Sequence, residues 1–424
     1  MSAAPVRPAR DGPIWRDRDF GIFLVAQTLS VGGDSFAYIA IPLLVLRATG
    51  SVAKMGLLTG VAGAASVVAG IFAGIIVDRV NRRLLLVCCD LARMLLYAAI
   101  PLAWLAGPQV WLLFVVLPVC EAIGMLFQVT YVTAVPSLVR SDAITEANGL
   151  LYAAASAAGI AGPLLAGVVS GALGPTAAIA IDAASFGLSA AGAALIRFRV
   201  PAVSTVQADG RASQPDGRPW RELLAGVAFL WRQPVLRALT VLLTLFIFLT
   251  FGLTDVVIYY LKHDLGQPDG IVGLVLAAGG AGTVAGALLV APLRRRLGFG
   301  PVWIGGLTVC GIAVAFIGLA GSAAAVAVLA AVYLGCAGVA GICSMSLRQQ
   351  VTPAHLLGRV TSAFWTVHFS LGPVGAAVLT WAAGHYGVAA TCATSGAACV
   401  MLAVAALYTP VRGRAHGPAT AAAT

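Results

Sequence analysis

An all-α membrane protein with twelve transmembrane helices in two six-helix halves is the fold this sequence predicts, and three observations predict it. Of the 424 residues, 60% are hydrophobic and only 10% charged, against roughly a quarter charged in soluble domains. The apolar residues gather into twelve runs, each long enough for the about 20 residues that cross a bilayer. Basic residues gather on alternate connections between those runs.

The runs fall near 20 to 46, 54 to 77, 84 to 106, 110 to 136, 146 to 171 and 176 to 198, then 238 to 261, 269 to 292, 301 to 320, 323 to 347, 358 to 383 and 387 to 409. Barrel strands alternate in polarity over about ten residues, whereas these runs are uniformly apolar and longer. The segment before the first run carries Arg7, Arg10, Arg16 and Arg18 with three prolines. The run behind it is too long for the core of a cleaved signal, so the first helix reads as a retained anchor.

On one side of the membrane lie Arg79, Arg82, Arg83, Arg140, the basic stretch 197–237, Arg294, Arg295, Arg296, Arg348, Arg359, Arg412 and Arg414; the other side has Arg47, Lys54 and Lys262. Short cytoplasmic loops are the basic ones, so both termini are expected in the cytoplasm, with the chain multi-pass in the cell membrane. The net charge of +10 then reflects topology and lipid headgroups rather than nucleic acid. All eight cysteines fall inside the runs, where Cys behaves as a small hydrophobe. Neither a disulfide nor a metal site is expected, and no cofactor.

Residues 199 to 219 read RVPAVSTVQADGRASQPDGRP, a linker by composition. The organisation predicted is a cytoplasmic segment 1–19, a first half 20–198, a linker 199–237, a second half 238–409 and a tail 410–424. Within the linker Trp220, Leu223, Leu224, Val227 and Trp231 recur at helical spacing, the pattern of a helix lying on the membrane surface. The halves echo one another in parallel. Gly162 and Pro163 follow a polar loop at 140–148, as Gly372 and Pro373 follow another at 348–359. The basic loop from Asp78 to Arg83 has its counterpart at Arg294 to Arg296.

Three motifs carry a resemblance. Gly74 to Arg83, GIIVDRVNRR, resembles the signature loop of the major facilitator superfamily, with Asn81 where the second glycine stands; Asn also tolerates a left-handed turn. Gly159 to Gly167, GIAGPLLAG, looks like a shortened form of that superfamily's antiporter motif. The pieces VGGDSF at 31–36, AIDAASF at 180–186 and LGRV at 357–360 look like the group containing macrolide-efflux and enterobactin-export proteins. The resemblance implies the major facilitator fold, with two halves rocking about a central cavity lined mainly by helices one, four, seven and ten. In the loop, Gly74, Asp78, Arg79, Arg82 and Arg83 would form a cytoplasmic gate, Asp78 accepting from arginines or a helix N-terminus. Gly159, Gly162 and Gly167 would let helices approach closely at the seam between halves, with Pro163 bending the fifth.

Charges inside a bilayer cost about 2.5 to 3.5 kcal/mol each on insertion scales, so they are functional candidates. Asp34 stands mid-way along helix one with Gln27, Ser30 and Tyr38 on its face, and reads as the proton-coupling residue. Glu121 in helix four shares a stripe with Gly124, Gln128 and Tyr131. Gln27, Tyr38, Glu121, Gln128 and Asp255 are the expected lining of the substrate cavity. Asp182 and Asp255 are expected nearer the outer surface, and Arg93 has Asp90 at i−3 as a local partner. His368, beside Thr361 and Trp365, reads as a packed residue rather than a proton carrier.

With the resemblance, these residues imply a secondary active transporter: a proton-coupled exporter, or antiporter, of drug-like or amphipathic molecules such as antibiotics or siderophores, working by alternating access. The expected partners are a small-molecule substrate, protons and membrane lipids, with the chain acting as a monomer. A proton-coupled uptake permease is the alternative, since direction is not written in a fold. An ATP pump is disfavoured because the only lysines, Lys54 and Lys262, lie in no Gly-rich phosphate loop. For a membrane-embedded enzyme, HExxH and GxSxG are lacking and VGGD at 31–34 misses the first glycine of GxGD. A transporter-like receptor would differ from a carrier by failing counterflow in proteoliposomes.

Overall fold

The structure, a computed structural model, describes residues 17–139, 144–196, 219–353 and 356–413. The leading segment with Arg7, Arg10 and Arg16, the linker 197–218, and Arg140 and Arg414 lie outside the described residues. So do the surroundings of Gly74 and the side chains of Asp78 and Arg79 in the signature loop.

The first half comprises α1 (Arg18–Thr49), α2 (Val52–Arg79), α3 (Arg82–Trp104), α4 (Val110–Leu138), α5 (Ile144–Ala172) and α6 (Pro175–Leu195). A short helix, α7 (Pro219–Arg232), leads into the second. There follow α8 (Pro234–Thr250), α9 (Leu253–Tyr259) with a π-helical turn Tyr260–Asp264, α10 (Asp269–Leu297), α11 (Phe299–Ile317), α12 (Ala323–Val351), α13 (Leu357–Phe369), α14 (Gly372–Tyr386) and α15 (Val388–Leu407). Among the described residues, twelve segments are long and apolar enough to span a membrane, α8 with α9 and α13 with α14 each counting as one. Because twelve is even, the first and last spans place both described chain ends at one end of the bundle. We call this the terminal end and its opposite the far end.

Local chemistry sets where spans stop. Asp17 caps α1, accepting from the Asp19 and Phe20 amides at 3.0 and 3.4 Å. Gly50 closes it in the left-handed region (φ 63°), where a side chain would be strained. Ser51 then caps α2 through the Lys54 amide at 3.3 Å, so two residues reverse the chain. Asn81 works differently from the expected left-handed turn. Its φ is −60°, and its side-chain oxygen accepts from the Arg83 and Leu84 amides at 3.0 and 3.4 Å, making it the N-cap of α3.

In lipid, helices gain little from burying apolar surface against one another, so close packing falls to small residues. Within the first half α1 packs on α5 and α6, α3 on α6 and α2 on α4; within the second, α10 on α12 and α11 on α15. The halves meet through two seams, α2 with α14 and α5 with α10. A Cβ on Gly60 would stand 2.7 Å from the Pro373 carbonyl oxygen, and one on Gly273 would stand 2.5 Å from that of Pro163. Both seams are tightest toward the far end.

The repeat of Gly-Pro pairs has different outcomes in the two halves. α5 runs unbroken through Pro163, whereas the eleventh span is interrupted between Phe369 and Gly372, with Pro373 in the first turn of α14. The seventh span is interrupted beside it, at Phe251 and Gly252, and the Phe251 and Phe369 rings meet edge to face at 6.4 Å. The surface helix is α7, packed on α13. Its inner face includes Gly226, where a Cβ would overlap the Arg359 carbonyl, and fully buried Leu230, while Trp231 points outward. Of the apolar stripe read from the sequence, Val227 packs against the second half's core and Trp231 is exposed, while the side chains of Trp220, Leu223 and Leu224 lie outside the described residues.

Candidate functional site

Asp34 and Arg93 form the centre of the first half. Arg93 Nη2 donates to Asp34 Oδ1 at 2.7 Å, joining α3 to α1. The local Asp90 partner expected for Arg93 is replaced by this long-range one. The Asp34 side chain is 44% exposed and that of Arg93 only 9%, so the pair has one solvent-accessible member and one sealed in protein. Arg93 lies over the Phe186 ring of α6, 3.9 Å from its centroid, and beside Gly124 of α4. Cation–π and ion-pair contacts together offset the cost of burying a guanidinium.

More carboxylates surround this one cation than it can neutralise. Its charge acts on Glu121 and Asp182 as well as Asp34. Asp182 is fully buried, and a Cβ on Gly33 would come within 2.9 Å of its Oδ1. Asp182 therefore stands level with Asp34 rather than toward the outer surface. Asp90 is also fully buried and neither of its oxygens has a hydrogen bond of good geometry; Ser189 of α6 is the hydroxyl beside it. Four acids from four helices thus gather around Arg93.

The expected cavity lining separates into four places. Gln27 and Gln128 line a cavity of about 300 Å³ between α1, α4 and α5 in the terminal half of the bundle, with Tyr131 and Tyr152. Glu121 lies deeper, in the charge cluster. Tyr38 crosses to the second half, where its hydroxyl donates to Thr254 Oγ1 at 2.9 Å. Asp255 does not line the cavity: it is 3% exposed, and Thr59 of α2 hydrogen-bonds it across the seam. Of the signature loop, Arg83 donates to the Ala194 carbonyl at the end of α6, so it ties the loop to its own half.

The helix-packing motif divides as well. Gly167 and the carbonyls of Gly159 and Pro163 face α10, while a Cβ on Gly162 would overlap Ser35 of α1 in the same half. His368 is buried and stacked on Phe364 at 5.3 Å between ring centroids.

One element was not legible beforehand. At the far end Asp269, 2% exposed, accepts from Arg47 of α1 and, at 2.7 Å, from Lys262 on the π turn. Arg47 and Lys262 were two of the three basic residues on the sparsely charged side. Their excess there, opposite an acid opening a span, was the available signal. Because a single carboxylate holds cations from both halves, Asp269→Asn is expected to loosen far-end closure. Arg47 and Lys262 are 47% and 23% exposed, so solvent screens the pair, and its loss is expected to shift the closed-to-open ratio by about tenfold. Spin-label distances between the far ends of α1 and α10 check it; an unchanged distance distribution would leave the pair without a role in closure.

Residues 23–376 and 240–423 match the sequence model of the Major Facilitator Superfamily. The chain is 25% identical to "Multidrug efflux pump Tap" of Mycolicibacterium fortuitum over 400 residues, 92% of this chain and 95% of that protein. It is 28% identical to "Uncharacterized MFS-type transporter y4rN" of Sinorhizobium fredii (strain NBRC 101917 / NGR234) over 372 residues, 84% and 87% of the two chains. Among solved structures, the nucleoside transporter NupG superposes with a TM-score of 0.74 at 13% identity, covering 92% of this chain and 98% of that one. A bacterial homologue of the human lysosomal transporter Spinster, in an inward-facing and unoccupied conformation, gives 0.71 at 14% identity, covering 94% and 96%.

Proposed function

The chain belongs to the Major Facilitator Superfamily, and on that premise we propose that it is a proton-coupled exporter of drug-like or amphipathic small molecules, seated in the cell membrane with both termini cytoplasmic. Its family makes it a transporter of small molecules across a membrane. The observation that carries the coupling is the Asp34–Arg93 pair at 2.7 Å, a half-exposed carboxylate on a sealed guanidinium within the span. Export is supported by likeness to a multidrug efflux pump along nearly the whole chain.

Closure at the far end and a cavity toward the terminal end correspond to a state open to the cytoplasm. Solute enters beside Gln27 and Gln128 while Asp34 is ionised and held by Arg93. After the halves rock, a proton from outside neutralises Asp34 and weakens its hold on Arg93. Return to the first state re-forms the ion pair and delivers the proton inside. One proton moving down 100 mV releases about 2.3 kcal/mol, which sustains about a fifty-fold gradient of a neutral solute.

The test is a substrate screen in inverted vesicles with an imposed pH gradient. An uncoupler is expected to stop accumulation. Accumulation driven by sodium alone overturns proton coupling, and movement in the opposite direction overturns export.

Glu121 is assigned to solute recognition, because a carboxylate in excess over the single nearby cation attracts positive charge. Glu121→Gln is expected to weaken monocationic solutes about tenfold, the worth of one charge-assisted hydrogen bond. Neutral solutes and the proton dependence should be unaffected. Competition assays with charged and neutral analogues decide between this and a structural role, which would weaken both alike.

A further inference from the structure

Among the described side chains, the terminal end of the second half holds a buried cation with no counter-charge. Arg348 lies in the last turn of α12 and is 1% exposed, a burial that arginine rarely reaches unless paired. Its Cζ stands 3.5 Å from the centroid of the Phe364 ring and 5.6 Å from that of Trp365, both on α13. Nη2 donates to Met345 Sδ at 3.1 Å, a weak acceptor. Nε and Nη1 have no acceptor. Aromatic faces offset only part of the cost of desolvating a guanidinium.

Among the described side chains no carboxylate answers it. No Asp or Glu follows Asp269, and the acids with described side chains in this half, Asp255, Asp264 and Asp269, belong to the far end of the bundle. What surrounds Arg348 is neutral and polar instead. Ser344 and Thr352 stand one turn before and one turn after it on the same face of α12, both buried with unpartnered hydroxyls. From α13, His368 adds a buried, unpartnered Nδ1. Trp365, whose ring lies 5.6 Å from Arg348 Cζ, is itself 44% exposed.

A guanidinium flanked by two hydroxyls and an imidazole matches the several acceptor oxygens of an oxyanion. The remaining turn of α12 beyond Arg348 rises about 5 Å, which sets the cluster near the membrane surface, where basic pockets between spans take lipid phosphates. We propose that Arg348, Ser344, Thr352 and His368 form a phosphate-binding site on the second half, filled by an anionic lipid headgroup or by free phosphate. The site is separate from the Asp34–Arg93 centre and does not depend on how transport is coupled.

The test uses the full chain in nanodiscs of neutral phosphatidylcholine and reads the thermal unfolding midpoint. One arm adds phosphatidylglycerol to the bilayer, the other inorganic phosphate to the solution. The wild-type midpoint is expected to rise in at least one arm, a rise with phosphatidylglycerol assigning a headgroup and a rise with phosphate a free ion. Arg348→Gln removes an uncompensated buried charge, so it is expected to fold at least as stably in neutral lipid and to lose the response. Thr352→Val, which leaves the charge in place, should weaken the apparent affinity by about tenfold. A wild-type midpoint indifferent to both additions, or a response that survives in Arg348→Gln, overturns the site.

Discussion

Asp34→Asn is expected to abolish uphill transport of every substrate while sparing downhill exchange. Asparagine keeps the shape of the side chain and an oxygen for Arg93 Nη2, which now reaches Asp34 at 2.7 Å, but it can neither ionise nor carry a proton. The chain is then held in the form that a protonated Asp34 would have. Solute can still ride the rocking motion, so counterflow persists. The about fifty-fold gradient available from one proton at 100 mV falls to equality. Accumulation against a solute gradient in vesicles, with counterflow as the parallel measurement, separates coupling from binding. Normal uphill transport with unchanged pH dependence in the variant would sink the assignment. Loss of the ion pair still leaves Arg93 among Asp90, Glu121 and Asp182, so its charge is not stranded and the fold is expected to hold. A thermal unfolding midpoint close to that of the unaltered protein, read beside transport, separates loss of coupling from loss of fold.

The same pair marks how far sequence reasoning reached. Twelve spans were legible because length and uniform apolarity are properties of contiguous residues. Asp34, Glu121, Asp182, Asp90 and Arg93 were legible as charges out of place. Which of them touch was not, because Asp90 at i−3 on the same helix competes on paper with Asp34 on another, and only tertiary packing brings Asp34 to Arg93 Nη2. The surroundings of Asp255 were not legible for the same reason: Thr59, which hydrogen-bonds it, stands on α2 of the other half, and no spacing within one helix announces that contact. Arg348 was legible only as a topology signal. A positive residue near the end of a span suits a cytoplasmic surface whether or not it is exposed, so its 1% exposure could come only from the fold. The break at Phe251 and Gly252 had no proline to announce it, unlike its neighbour before Pro373.

Two glycines of one motif should respond oppositely to the same added methyl. A Cβ on Gly167 would stand 2.7 Å from Gly273 Cα, 2.9 Å from the Asp269 carbonyl oxygen and 3.0 Å from the Gly273 nitrogen. These are backbone atoms of α10, which cannot rotate away, so the two helices must part. A Cβ on Gly159 would meet nothing within 4 Å. Overpacking of this kind costs about 1 to 3 kcal/mol, and at Gly167 the cost falls only on the state in which α5 and α10 touch. That seam adjoins the Arg47–Asp269 contact, so Gly167→Ala opposes far-end closure directly. The closed-far-end population should drop by about five- to a hundredfold, with net transport falling in step because the cycle must pass through that state. Gly159→Ala should transport normally and be neutral or slightly more stable, since Ala favours a helix over Gly by about 1 kcal/mol. Transport rates and spin-label distances across α5 and α10 give both answers. Equal effects of the two substitutions would mean that the seam yields without cost and that the close approach at Gly167 is not what holds the far end shut.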